Sequence, residues 1–220
     1  MVPLSFAGNN LLASAEGALH WPAEQALLVA DLHLEKASWF AAGGQLLPPY
    51  DSLATLQMLE SEIDRTGAIR LYCLGDSFHD RFGCDRLPQR ARDLLARLTS
   101  RLDWVWIVGN HDAGFADHCG GRIEEECEVG GIILRHEALE QDPRPEMSGH
   151  YHPKFRLSLK GRSVSRRCFV ASANKLILPA YGAFTGGLDA GHPAILRKVG
   201  RQASALVPIT DRLLKFPIAA

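Results

Sequence analysis

The chain has 220 residues, 46% hydrophobic and 22% charged, the proportions of one compact globular domain, so residues 1–220 are read as a single unit. Its 24 Lys and Arg against 25 Asp and Glu leave a formal charge of -1, which excludes a global positive field, and a polyanionic partner must therefore meet a local patch. No apolar run approaches the ~20 residues that span a bilayer, and residues 1–17 lack the basic start and long apolar stretch of a secretion signal, so a soluble, cytoplasmic protein with no membrane partner is expected.

Residues 18–21 and the apolar run 26–30, separated by a turn at Pro22 and Ala23, read as two strands, the second stopping abruptly at Asp31. From Asp51 to Gly67, the residues Leu53, Leu56, Leu59 and Ile63 recur at helical spacing, which predicts a helix with one buried face, Asp51 as N-cap and Gly67 as stop. A β-rich run over 69–74 ends at Gly75 and Asp76, a helical stretch covers 89–102, and a strand over 104–108 ends at Gly109 and Asn110. This alternation of strand and helix is the rhythm of an α/β sheet.

Beyond His111 the pattern changes. Gly130 and Gly131 separate β-like runs at 126–129 and 132–135, as in a hairpin, and 154–159, 166–171, 175–180 and 203–209 all look extended. A second sheet is their simplest home. The five cysteines (Cys73, Cys84, Cys119, Cys127, Cys168) are odd in number and contain no C-x-x-C pair, so neither a disulfide framework nor a thiolate zinc site is expected, and a reducing compartment fits.

The chemistry sits where strands end, the edge at which α/β proteins build their sites. Asp31 and His33 follow the first long apolar strand, Asp76 and His79 the second, and Asn110, His111 and Asp112 the third; His136 ends the strand after the Gly130 turn, and His150 and His152 lie in a loop before a further strand. Carboxylate, amide and imidazole donors together suit Mn, Fe or Zn better than Mg or Ca alone. Seven donors (Asp31, His33, Asp76, Asn110, His136, His150, His152) exceed what one tetrahedral ion needs and fit two ions sharing a carboxylate. The D-x-H and H-x-H spacings are expected to work through extended backbone, where residues i and i+2 point the same way. Each motif alone is weak; their ordered recurrence after strand-like runs carries the reading.

These residues resemble the calcineurin-like metallophosphoesterase superfamily, whose pattern is D-x-H, G-D-x-x-(D/H), G-N-H-(D/E), H and G-H-x-H. The resemblance implies an α/β four-layer sandwich, two mixed β-sheets packed face to face and flanked by helices. It implies that Asp31, His33 and His152 hold one divalent metal, that Asn110, His136 and His150 hold the other, and that Asp76 bridges them. His111 would be the imidazole serving the leaving oxygen, with His79 or Asp112 holding it. His79 stands where phosphatases of the superfamily usually have Asp, as in its double-strand-break-repair nucleases, which favours phosphodiester substrates. The runs around Asp31, Pro48, Asp76, His136 and Tyr181 are similar to the ligase-associated DNA-damage-response endonuclease group. That implies manganese as cofactor, DNA as substrate and the company of an ATP-dependent DNA ligase, a helicase and an exonuclease. Tyr151 lies where a smaller residue is common in the superfamily.

No carboxylate occurs between Glu146 and Asp189, while Lys154, Arg156, Lys160, Arg162, Arg166, Arg167 and Lys175 do. This run is either a phosphate-contacting surface, with Lys154 and Arg156 foremost, or a solvated strand face with Arg stems over apolar surface. Arg135 either reaches a phosphate oxygen or pairs a neighbouring carboxylate. His20, His118 and His192 read as ordinary surface or core imidazoles, and Lys36 and Tyr50 are unassigned. The leading expectation is a DNA phosphodiesterase; the alternatives are an enzyme acting on small phosphate esters or nucleotides, and a non-catalytic scaffold.

Overall fold

The computed structural model describes residues 1–112, 119–159 and 161–218. One sheet takes seven strands in chain order: β1 (Val2–Phe6), β2 (Asn9–Ala13), β3 (Leu19–Trp21), β4 (Ala26–Val29), β5 (Arg70–Leu74), β6 (Asp103–Ile107) and β7 (Arg122–Glu124). Its first half is an antiparallel meander. From β4 to β7 the pairing is parallel, the β4–β5 connection passing through α2 (Asp51–Thr66) and the β5–β6 connection through α4 (Gln89–Arg101).

The second sheet has the order β16 (Leu213–Pro217), β15 (Ser204–Pro208), β13 (Phe169–Ala171), β14 (Lys175–Ile177), β10 (Glu146–Ser148), β9 (Ile132–Arg135), β8 (Glu126–Val129). It is also mixed, parallel where β10 meets β9 and β14 and antiparallel elsewhere. Between β10 and β13 the chain forms a separate two-stranded ribbon, β11 (Lys154–Leu159) with β12 (Arg162–Arg167).

The period-2 alternation of the parallel strands places these layers. Leu27, Val29, Leu71, Cys73, Trp104 and Trp106 face α2 and α4, packing on Leu56, Leu59, Ile63, Leu94, Leu95 and Leu98. Their neighbours Leu28, Tyr72, Leu74, Val105 and Ile107 face the other sheet and meet Ile132, Leu134, Met147, Phe169 and Leu176. A third core, with Val170, Ile177, Ala205 and Val207, lies under Ile195 and Val199 of α5 (Pro193–Val199). Helix, sheet, sheet, helix is the four-layer sandwich implied by the resemblance. Strands buried on both faces read as continuous apolar runs, which is why β4 and β6 are legible from sequence.

Several boundaries move. Asp51 begins α2 but does not cap it from the preceding position, which Tyr50 occupies; the Asp51 carboxylate instead accepts the Ala37 N–H at 2.8 Å, tying α2 to α1 (Lys36–Ala42). The expected strand 166–171 is two strands, since Cys168 marks the step from the ribbon to the second sheet. The hairpin at Gly130 and Gly131 is present, both glycines at positive φ of 54° and 77°. Cys84, in α3 (Gly83–Arg86), and Cys119 are brought together, their Cα atoms 6.5 Å apart, a meeting of distant segments that spacing does not reveal. Among the described residues, no helix is long and apolar enough to cross a membrane.

Candidate metal centre

Five strand ends converge. Asp31 and His33 leave β4, Asp76 leaves β5, Asn110 and His111 follow β6, His136 follows β9, and His150 and His152 follow β10. Two groups result: Asp31, His33 and His152 bring one ligand atom each to within 4.8 Å of one another, and Asp76, His136 and His150 do the same. Asn110 joins the second, its Oδ1 2.9 Å from His136 Nε2 and 3.1 Å from His150 Nδ1. The Asp76 carboxylate lies between them, one oxygen 3.5 Å from His136 Nε2 and 3.9 Å from His33 Nε2.

The donors fit cations. His33 Nε2 lies 3.2 Å from His152 Nε2, and His136 Nε2 lies 3.0 Å from His150 Nδ1. Two ring nitrogens at such distances repel unless a proton or a cation lies between them, and ligands ~2.0–2.1 Å from one ion have this spacing. His136 Nδ1 donates to the Leu74 carbonyl at 3.1 Å, which leaves Nε2 as the lone-pair nitrogen facing the cluster. Burial, reinforced by His152 and Lys36, pushes the His33 imidazole down to about 2, and burial together with His136 lowers His150. Both are therefore neutral near pH 7, the form that binds metal.

The backbone reaches this geometry by a route different from the expected one. Asp31, His33, Asp76, His150 and His152 all have positive φ (53°, 44°, 47°, 73° and 48°), so the D-x-H and H-x-H segments are not extended. Moreover, His150 and His152 serve different clusters. Left-handed non-glycine residues cost energy and concentrate where function over-determines the backbone. Compact neighbours permit the crowding: a Cβ at Gly75 would overlap the His136 ring, and one at Gly149 would lie 2.6 Å from Asp31 Oδ2. The buried Asp31 carboxylate also accepts the His150 N–H, at 3.0 Å to Oδ2.

His111 stands beside the cradles, its ring 5.3 Å from that of His33 and stacked 5.4 Å from that of His79. Its Nδ1 is 2.9 Å from the His79 main-chain oxygen. A carbonyl can only accept, so Nδ1 carries the hydrogen and Nε2 is the nitrogen left to face the site. Of the two residues expected to hold His111, His79 does so through its main-chain oxygen and Asp112 does not. Asp112 is buried and accepts from the main-chain N–H groups of Ser77, Phe78 and Gly109, at 3.0–3.2 Å, so it joins the loops after β5 and β6 without touching the imidazole.

Arg135 is corrected likewise. It is buried in a carboxylate cage, with Asp142 at 3.0 Å, Glu126 at 3.3 Å and Glu146 at 3.4 Å, so the carboxylate-pairing alternative holds and the substrate contact does not. Lys175 leaves the basic run too, its Nζ buried 2.9 Å from Glu146. Arg167 is half-buried and donates to the Gly182 and Glu16 carbonyls. Lys154, Arg156, Arg162 and Arg166 remain on the ribbon. Lys154 donates to the Thr185 carbonyl at 3.0 Å and Arg156 to that of Gly187 at 3.4 Å, in the loop whose Gly187 packs on His152. Lys160 and His118 lie outside the described residues.

Tyr151 packs its ring edge-on against that of His150, centroids 4.8 Å apart, and donates to Glu137 at 2.7 Å. His192 accepts the Ala194 N–H at the start of α5, and His20 sits on β3, both apart from the site. Sequence reasoning missed Glu35, which is buried and accepts the Ser52 hydroxyl at 2.7 Å, and Trp39 and Phe82, which stand exposed near His79. The seven-residue α1 is too short for a periodic signal, and exposure is not written in residue type.

Two mixed sheets with paired carboxylate and imidazole cradles along their carboxyl edges define a divalent-metal-dependent phosphoesterase. The calcineurin-like phosphoesterase family model matches residues 25–165, and the chain belongs to that family. The crystal structure of Pseudomonas putida nuclease MPE is similar over 93% of this chain and 95% of that one, with 31% identity and a TM-score of 0.74. More distant are a protein of unknown function from Aquifex aeolicus (16% identity, 62% of this chain and 81% of that one, TM-score 0.42) and a conserved uncharacterized protein from Streptococcus pneumoniae (14% identity, 82% and 80%, TM-score 0.31). No curated protein matches significantly.

Proposed function

We propose that the protein is a binuclear, manganese-dependent phosphodiesterase that cleaves DNA during repair. The observation that carries this reading is the Asp76 carboxylate set between two three-residue cradles, with the His111 imidazole alongside. Asp31, His33 and His152 would hold one ion and Asn110, His136 and His150 the other, with Asp76 shared. Two bound divalent ions supply Lewis-acid stabilisation of the phosphoryl oxygens and acidify an attacking water.

The chain's own groups do the rest. His111, oriented through Nδ1 by the His79 carbonyl, would act as the imidazolium, giving the proton on Nε2 to the departing oxygen and ending neutral, a contribution typically of 10²–10⁴-fold. Asp112 is a positioning residue, fixing the turn that carries Asn110 and His111. His79, where phosphatases of the superfamily usually carry Asp, favours a diester, and the likeness to a nuclease supports the same class. Lys154 and Arg156 flank the His152 side of the site and suit phosphates adjoining the scissile one. A DNA ligase, a helicase and an exonuclease are the partners this role would join.

The test is hydrolysis of a simple phosphodiester, a phosphomonoester and DNA under Mn, Zn, Fe and Mg. Diester and DNA cleavage dominated by Mn supports the reading; turnover confined to monoesters or nucleotides replaces it with small-molecule chemistry.

A further inference from the structure

Of the four tryptophans, Trp21, Trp104 and Trp106 are fully buried, but Trp39 is 47% exposed, and Phe82 is 53% exposed. Both line one open cleft whose other walls include His79, Asn110 and His111. Two large aromatic faces left in water beside a reaction centre need an occupant, and continuity with the metal site identifies one. Trp39 meets the His79 ring at 4.9 Å, and His79 in turn lies 5.6 Å from His33 and 5.4 Å from His111. The cleft thus opens directly onto groups that would address the scissile phosphate.

The shelf is rigid. Trp39 sits on α1, which is held by Asp51 through the Ala37 N–H and by Arg86, whose Nε donates to Ser38 Oγ at 3.0 Å. Arg86 itself is neutralised by Asp80, to which both its terminal nitrogens donate. Arg81, its guanidinium 4.6 Å from the Phe82 ring centroid, adds positive charge at the rim. Flat apolar faces with a cation at the edge suit a nucleobase joined to a phosphate, since every base has a π-face and stacking contributes without reading sequence.

We propose that Trp39 and Phe82 form a stacking subsite for the base of a nucleotide adjoining the scissile phosphodiester. This rests on the phosphodiesterase reading and adds to it the part of the substrate that the metal cradles do not touch. The test compares two single-stranded oligonucleotides of equal length and charge, one carrying bases and one with abasic residues on both sides of a central phosphate.

Binding is followed in the metal-free protein by the anisotropy of a fluorescein label on each strand, with quenching of the exposed indole as a second signal, and cleavage by kcat/KM with Mn. The base-bearing strand should quench fluorescence and bind roughly tenfold or more tightly than the abasic one. Trp39→Leu should lose the quenching and most of that preference, and Phe82→Leu should lose part of it, each leaving affinity for the abasic strand unchanged. Equal affinity for the two strands, or a preference intact in both variants, overturns the subsite. Cleavage of both strands alike overturns the subsite while leaving the phosphodiesterase reading standing; cleavage of neither overturns both.

Discussion

His111 donates from Nδ1 to the main-chain oxygen of His79, 2.9 Å away, so a residue on the loop after β6 has its tautomer set by a residue on the loop after β5. Any main-chain carbonyl at that place would do the same, so the side chain of His79 is free for another task. Accordingly, His111→Ala should lower kcat by about 10²–10⁴-fold with metal content unchanged. Rate assays beside elemental analysis check this, and full activity in a metal-replete variant would reject the role.

The two cradles are separable by substitution. Because His33 belongs to one group and His136 to the other, His33→Ala and His136→Ala should each lower metal content by about half, and Asp76→Asn should weaken uptake at both. A chelator should abolish activity, and added Mn should restore it while raising the Tm. Retention of full metal content by all three variants would contradict the site.

Gly75 has a φ of +79°, and its missing side chain leaves room for the His136 ring. Gly75→Ala should cost about 1–3 kcal/mol in urea unfolding and weaken metal binding as well. Gly44 also has positive φ but open space around it, so Gly44→Ala should destabilise without touching metal affinity.

Arg135 and Arg156 should behave oppositely. Removing the caged Arg135 as Ala takes one of two cations from Glu146, which keeps Lys175, and from Asp142, which keeps Arg144, and should cost about 1–3 kcal/mol of stability. Arg156→Gln, on the exposed ribbon, should leave unfolding unchanged and reduce the slope of log affinity for DNA against log salt by about 1. Denaturation curves and a salt titration read the two effects separately.

Burial, then the charge of Lys36, holds the His79 imidazole at about 4 against an ordinary 6.5. The unfolded chain therefore binds more protons between those values, and stability falls as pH drops from about 6.5 towards 4. His79→Phe, which keeps an aromatic ring against Phe40, should lose less stability across that window than the parent does. Identical pH profiles would show that His79 does not titrate in this way.

Much of this was legible in the chain. Leu56, Leu59 and Ile63 announced α2, and the run ending at Asp31 announced β4, because periodicity and double-sided burial leave their mark in residue type. The strands β1, β2 and β16, two of them sheet edges, were not anticipated, being short runs that mix apolar with ordinary polar residues. Lys175 and Arg135 were indistinguishable from surface cations, since the carboxylates that bury them stand on β8, on β10 and in the 136–145 loop.

The order of acidic, amide and imidazole residues after apolar runs determined the donor set and the family, since a strand's end and a ligand's chemistry are both local properties. Which donors share a cradle, which cations are caged and which aromatic rings stay in water were decided by the packing of two sheets. Those are relationships between segments distant in sequence, fixed by strand order and by left-handed backbone at the ligands, and neither is encoded by spacing along the chain.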